Sequence, residues 1–303
     1  LGQGEKEFRV RRLIILTLVL VVASPVFAWW GGGHDILSLA AVEALPEEMP
    51  AFFREDGRGV AHASYDPDIS KNRETPIVSG AEHGEHFIDH ELLDGKALPN
   101  DRFAFIALCQ ELGQKPEQVG FVAYAVAEWT ERLAVAFAEH RKWPDNPYVR
   151  SKCLLYAGFV AHYAQDLCQP LHLTIHFDGI KQDDGSKKHR GIHEKVDALP
   201  EFFEMVPAKL ATGLEVVAVD SLMPAIVAQL ESGFALVDDV YALSDVLPKS
   251  GQKDWKENEA ATAFALDRAR ESVRFTASLL LTAWRRSAGI RLHGWLDRSV
   301  DTK

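Results

Sequence analysis

Apolar residues recur at i, i+3, i+4 and i+7 through residues 34–45, 101–113, 116–142, 147–169, 192–204, 221–246 and 256–287, and almost nowhere do they alternate with period two. That pattern predicts amphipathic helices and excludes a sheet-built core, so the expected fold class is all-α, a multi-helix bundle. Pro116 and Pro147 stand where helices open, a position at which their missing N–H is harmless. Clusters of Gly, Pro, Asp and Lys at 55–82 and 178–191 read as loops. No internal repeat or low-complexity tract divides the chain.

Residues 1–28 carry Arg9, Arg11 and Arg12, an apolar run from Leu13 to Ala23, and the small residues Val26 and Ala28, the three parts of a secretory signal. A membrane helix over 13–30 is the competing reading, but Pro25 interrupts it and the run is short for ~30 Å of hydrocarbon. The expected organisation is a signal peptide over 1–28, one domain over 29–288 and a frayed tail over 289–303. The mature protein is then secreted or periplasmic, and a monomer.

Charge narrows the partners. The chain has a formal net charge of −11, which becomes −13 without its first 28 residues. Such a surface argues against stable binding of duplex DNA through many phosphates, so any phosphate recognition must be local. Cys109, Cys153 and Cys168 are too few for a disulfide scaffold. Cys153 and Cys168 fall ~22 Å apart along one predicted helix, so they cannot pair with each other. The three thiols read as buried and inert.

The densest chemical signal is "HYAQDLCQPLH", where His162 and Asp166 stand at i and i+4 and project from one helix face toward one cation. Pro170 should stop or kink that helix, which frees His172 to reach a second site. "GIHEKVD" repeats the spacing with His193 and Asp197, and "HASYDPDISK" and "EHGEHFIDHE" add Asp66, Asp68, His83, His86 and His90. Nitrogen and carboxylate donors without thiolate suit Zn(II). His140 and His293 read as surface residues.

These motifs resemble the superfamily of trinuclear-zinc phosphodiesterases, which contains the single-strand-specific secreted nucleases and the bacterial zinc-dependent phospholipases C. The resemblance runs from Trp29 to about Phe203 and rests mainly on "HxxxDxxQPLH" and "HFID". It implies that Asp68, His86, His162 and Asp166 hold one zinc, and that His172, His193 and Asp197 hold a second. It further implies a third ion shared by Asp166, His34 and the amine and carbonyl of Trp29 once the signal is removed. The first carboxylate is ambiguous between Asp66 and Asp68; Asp68 is preferred because Lys71 follows at +3, near the expected phosphate, and Asp68 is also the candidate for orienting the attacking water.

The short spacing from Trp29 to His34, the final ligand Asp197, and Phe87 and Asp89 as partners for a nucleobase favour a nuclease or 3′-nucleotidase acting on single-stranded nucleic acid. A zinc-dependent phospholipase C is the alternative, recognisable by an exposed apolar rim beside the site. A non-catalytic exported zinc-binding protein is the second alternative, recognisable by closed, fully ligated sites. If the resemblance holds at the start of the domain, N-terminal sequencing of the exported protein should begin at Trp29, and a chain retaining residues before Trp29 should bind one zinc fewer. Full occupancy in an uncleaved chain would refute that role for the Trp29 amine.

Overall fold

The computed structural model describes residues 29–300, so the signal-peptide reading of 1–28 lies outside the described residues. The chain runs through α1 (Gly31–Glu43), α2 (Ala51–Glu55), α3 (Gly57–Ala63), α4 (Asp66–Ser70), α5 (Pro76–Glu82), α6 (Arg102–Glu111), α7 (Pro116–Val119), α8 (Val122–Lys142) and α9 (Pro147–Leu167). A small antiparallel hairpin, β1 (Ile180–Lys181) with β2 (Lys187–Lys188), separates these from α10 (Ile192–Asp197), α11 (Leu199–Phe202), α12 (Pro207–Ala211), α13 (Leu222–Phe234), α14 (Val237–Ala242) and α15 (Glu259–Ser287). The fold is all-α. No helix among the described residues is long and apolar enough to cross a membrane.

The centre of the bundle is α9 packed on α8, with α15 across both and α1 and α3 covering the remaining faces. Asn146 starts α9 by accepting hydrogen bonds from the N–H groups of Tyr148 (2.9 Å) and Val149 (3.2 Å), with Pro147 in the first turn. From Val160 to Leu167 every residue of α9 is buried, including His162, Gln165 and Asp166. A helix buried all round is ordinarily apolar. Three polar side chains at such positions therefore need specific partners.

Two departures from the sequence reading have clear causes. The 55–82 segment is not a loop but contains α3, α4 and α5, because Pro67 and Pro76 sit in first turns and Asp56 caps α3 through Gly59 N–H at 3.1 Å. Residues that break helices internally also begin them. The predicted 116–142 helix is split at Gly120, whose φ of +97° suits glycine and whose missing Cβ would stand 2.1 Å from the Phe87 carbonyl oxygen. That break admits the 3-10 turn carrying His86 and the extended residues after it: Phe121 N–H donates to Gly84 O at 2.7 Å and Asp89 N–H to Val119 O at 2.7 Å.

Smaller differences follow the same logic. The 192–204 and 221–246 helices are each divided in two, and 178–191 holds the hairpin. The tail is held rather than frayed through residue 300, with Asn146 Nδ2 donating to Arg298 O at 2.6 Å and Arg298 Nε 3.3 Å from Glu139. His140 is buried, its ring 4.5 Å from that of Phe52. The three cysteines are free and buried.

Gly158 sets how closely α9 meets the end of α3. A Cβ there would lie 2.5 Å from Ala63 Cβ and 2.6 Å from its carbonyl carbon. Gly158→Ala should therefore force the two backbones apart and destabilise the protein by about 1–3 kcal/mol in denaturant unfolding. An unchanged unfolding midpoint would refute this close approach.

Candidate metal centre

The buried turn of α9 places His162 Nε2 3.3 Å from Asp166 Oδ2. His86, from the 3-10 turn over 83–86, enters the same space with its Nδ1 2.9 Å from His162 Nε2 and 3.0 Å from Asp166 Oδ2. Asp68 of α4 joins them, its Oδ1 3.8 Å from His86 Nδ1 and 3.9 Å from His162 Nε2. The other oxygen of Asp166 faces elsewhere: Oδ1 lies 3.5 Å from His34 Nε2 and 3.9 Å from His172 Nδ1. One carboxylate thus borders two groups of imidazoles.

After α9 ends at Leu167, a 3-10 turn over 170–173 carries His172 toward α10, where His193 Nε2 lies 3.4 Å from Asp197 Oδ2. The His172 and His193 rings meet edge to face at 4.9 Å. Three groups of ligand atoms result, His34 with His162 and Asp166, Asp68 with His86 and His162, and His172 with His193 and Asp197, each with its atoms within 4.8 Å of one another.

Asp68 and not Asp66 belongs to these groups; Asp66 lines a separate cavity of about 520 Å³ with Asp35, Arg58 and Tyr65. Lys71 Nζ is 2.5 Å from Asp68 Oδ1. Trp29 is fully buried, its indole N–H donating to Gln165 O at 3.0 Å, and Trp30 N–H donates to Asp197 O at 3.2 Å, so the start of the described chain lies against the centre. Phe87 and Asp89 are partly buried and join none of the three groups. The Phe87 ring meets that of His83 at 5.8 Å.

Surrounding groups fix the imidazoles. His34 Nδ1 hydrogen-bonds Gln165 Oε1 at 2.6 Å, while Gln165 Nε2 donates to Ser38 Oγ at 3.0 Å. His162 Nδ1 bonds Ser64 O at 2.7 Å, and His172 Nδ1 bonds His86 O at 2.8 Å. In each ring this leaves Nε2 as the ligand atom. Gln169 Nε2 donates to Asp197 Oδ1 at 2.8 Å. Gln169 is part of "HxxxDxxQPLH", whereas Gln165 is not singled out by the sequence reading; an amide on a helix stretch that is otherwise buried is the signal that marks it.

Four buried ligand atoms lack a hydrogen bond, His34 Nε2, Asp166 Oδ1, His172 Nε2 and His193 Nε2, and so does the outward Nε2 of His86. Each such orphan costs on the order of 1–3 kcal/mol unless something else satisfies it. Their donor chemistry, imidazole nitrogen and carboxylate oxygen in one buried space, fits divalent metal ions. The ionisation states agree with that fit. Burial lowers His34 and His162 to about 4, with the His162 charge adding to the effect on His34, and burial holds His86 and His193 well below the ordinary value. These rings are neutral at pH 7, as ligation requires. Burial raises Asp166 to about 7 and Asp197 well above the ordinary value. Burial also pushes Asp68 up, but His162, Lys71 and His34 together outweigh it and its carboxyl lies below the ordinary value.

No family model matches the sequence, and no curated protein matches it. Among solved structures, the alpha toxin from Clostridium absonum is similar, with 15% identity over 85% of this chain and 67% of that one and a TM-score of 0.45.

Because Asp166 titrates near pH 7 without metal, binding of Zn(II) to the stripped protein should displace its proton. Affinity should fall by roughly tenfold per pH unit below 7, with matching proton release in calorimetry across buffers of different ionisation heat. The low values of His34 and His162 exclude them as the source in that range. Affinity unchanged from pH 7.5 to 5.5 would contradict metal binding at Asp166.

Proposed function

We propose that the protein is a zinc-dependent phosphodiester hydrolase of the phospholipase C type. Asp68, His86, His162 and Asp166 hold one ion, His172, His193 and Asp197 a second, and His34 with Asp166 and the Trp29 main chain a third. Zinc at such sites lowers the pKa of bound water and stabilises charge on phosphoryl oxygens. The second group offers only three side chains, which suits an open catalytic position better than a closed storage site.

The chain's own residues divide the remaining work. Lys71, at the mouth of the centre and 2.5 Å from Asp68, supplies a cation for a non-bridging phosphoryl oxygen on a protein that is otherwise acidic. Asp68, whose carboxyl lies below the ordinary value and is paired with Lys71, is an ionised acceptor beside the ligand space, where it can orient a water. Gln165, Gln169 and the Ser64 carbonyl hold their partners in ligating orientation.

The observation that carries the lipid reading is the rim. Ile69, next to the ligand Asp68, is 63% exposed, and Ile77 and Val78 on α5 are 89% and 49% exposed. The helix α5 has no buried residue, yet its last residue stands beside His86. Aliphatic side chains gathered at a site's edge gain by entering an apolar phase, at ~1.5–3 kcal/mol for each one fully buried. A nucleic acid offers no such phase. Phe87 and Asp89, on which the sequence preference for a nuclease rests, are partly buried, and the Phe87 carbonyl accepts from Val122 N–H at 3.2 Å. The preference is therefore reversed in favour of the lipid.

Side-by-side assays on phosphatidylcholine vesicles, single-stranded RNA and a 3′-mononucleotide should give hydrolysis of the lipid. Cleavage of RNA without the lipid would return the nuclease reading. His172→Ala and Asp166→Asn should each lower hydrolysis of a nitrophenyl phosphodiester by at least ~10³-fold with helix content retained in circular dichroism. Ile77→Asp should lower turnover of vesicles and spare the soluble diester; equal rates on both substrates would remove the rim from the argument.

A further inference from the structure

Three of the ligand-group imidazoles, His34, His162 and His172, are fixed through Nδ1, to Gln165, to the Ser64 carbonyl and to the His86 carbonyl, which leaves Nε2 as the ligand atom of each. His86 is reversed. Its Nδ1 is the atom that converges with His162 Nε2 and Asp166 Oδ2, at 2.9 and 3.0 Å. Its Nε2 points away and lies 3.3 Å from Glu82 Oε1, an ion-pair contact not aligned as a hydrogen bond, and it has no hydrogen-bond partner of its own. Glu82 closes α5, one helical turn before His86, and its Oε1 also accepts a hydrogen bond from the buried Tyr163 hydroxyl. Tyr163 follows His162 on α9, and its ring meets the rings of His86 and His162 edge-on at 5.5 and 5.3 Å.

We infer that Glu82, held by Tyr163, is a positioning residue that fixes His86 as an Nδ1 ligand by accepting its Nε2–H. This rests on the reading of His86 as a zinc ligand and gives a role to a residue that stands at the start of "EHGEHFIDHE" but belongs to none of the three ligand groups. A carboxylate that accepts from the outer nitrogen of a ligating histidine sets the tautomer and strengthens the donor atom, and its loss typically weakens metal binding 10–100-fold. The same contact gives Tyr163 a reason to bury its hydroxyl beside two imidazoles. It also ties the exposed helix α5 to the centre: the only charged group linking that helix to a ligand is Glu82 among the described ion pairs.

The test uses the full chain and Zn(II) with a competing chromophoric chelator. Glu82→Ala should weaken one bound equivalent by 10–100-fold and leave the others unchanged. Glu82→Gln keeps the shape and an acceptor oxygen but loses the charge; it should weaken the same equivalent by about tenfold with no change in melting temperature. Tyr163→Phe should give a smaller loss at the same equivalent. Long-range ¹H–¹⁵N spectra of the zinc-loaded parent should show His86 metallated at Nδ1 and protonated at Nε2. A merely structural role for Glu82 would lower the melting temperature of both Glu82 variants while leaving zinc affinity intact, and that result would overturn the inference. So would metallation of His86 at Nε2. If Glu82→Ala does not fold, Glu82→Gln and Tyr163→Phe decide. A parent that binds no zinc would overturn the metal reading and this role together. A parent that loses one equivalent as described but leaves phosphatidylcholine intact would overturn only the proposed substrate.

Discussion

A carboxylate with no exposure to water, at the middle of the bundle, is the constraint on which the centre depends. Asp166 sits on a turn of α9 where every neighbouring residue is buried, and in isolation such a group is driven to its protonated form. Around it stand only imidazoles, with His86 and His162 at 3.0 and 3.3 Å from one oxygen and His34 and His172 at 3.5 and 3.9 Å from the other. Neutral imidazoles do not neutralise a carboxylate. A cation between them does, and the same cation satisfies the nitrogens, so one kind of ligand resolves both deficits.

Holding those atoms in place is the task of the backbone around α9. Gly158 allows the end of α3 to approach closely enough for the Ser64 carbonyl to reach His162 Nδ1 at 2.7 Å. Gly120 interrupts the chain between α7 and α8 so that the segment bearing His86 can hydrogen-bond into the gap. Pro170 follows the end of α9, and the turn it opens delivers His172 to the second group. The segments bearing His86 and His172, and the carbonyl that orients His162, are therefore positioned by residues whose special property is backbone conformation or size, not chemistry.

This division explains what was legible in the sequence. His162, Asp166, His193 and Asp197 share faces of regular helices, and periodicity alone predicts that each pair faces one point. The long helices α8, α9 and α15 were equally visible from their apolar spacing. Asp68 and His86 lie on short helical turns whose Pro and Gly residues carry the composition of loops, so their meeting with His162 followed only from resemblance. Gln165 and Gln169 are not ligands, and Glu82, although four residues before His86, joins no ligand group; they matter because packing puts them behind a ligand. The reversed ring of His86 is likewise a product of where α5 ends relative to α9, which no local pattern encodes.

The arrangement also distributes stability unevenly. The pair α8 and α9 with α15 is held by continuous apolar packing that needs no metal, and its buried residues include Leu133, Phe137, Val160 and Leu279. The short helices α4 and α5 have Pro67 as their one buried residue, and they meet the core mainly through Asp68, Glu82 and the turn bearing His86. Of these, Asp68 and His86 belong to the ligand groups, so under the proposed reading ligation would tie the exposed apolar rim to a scaffold that is already folded.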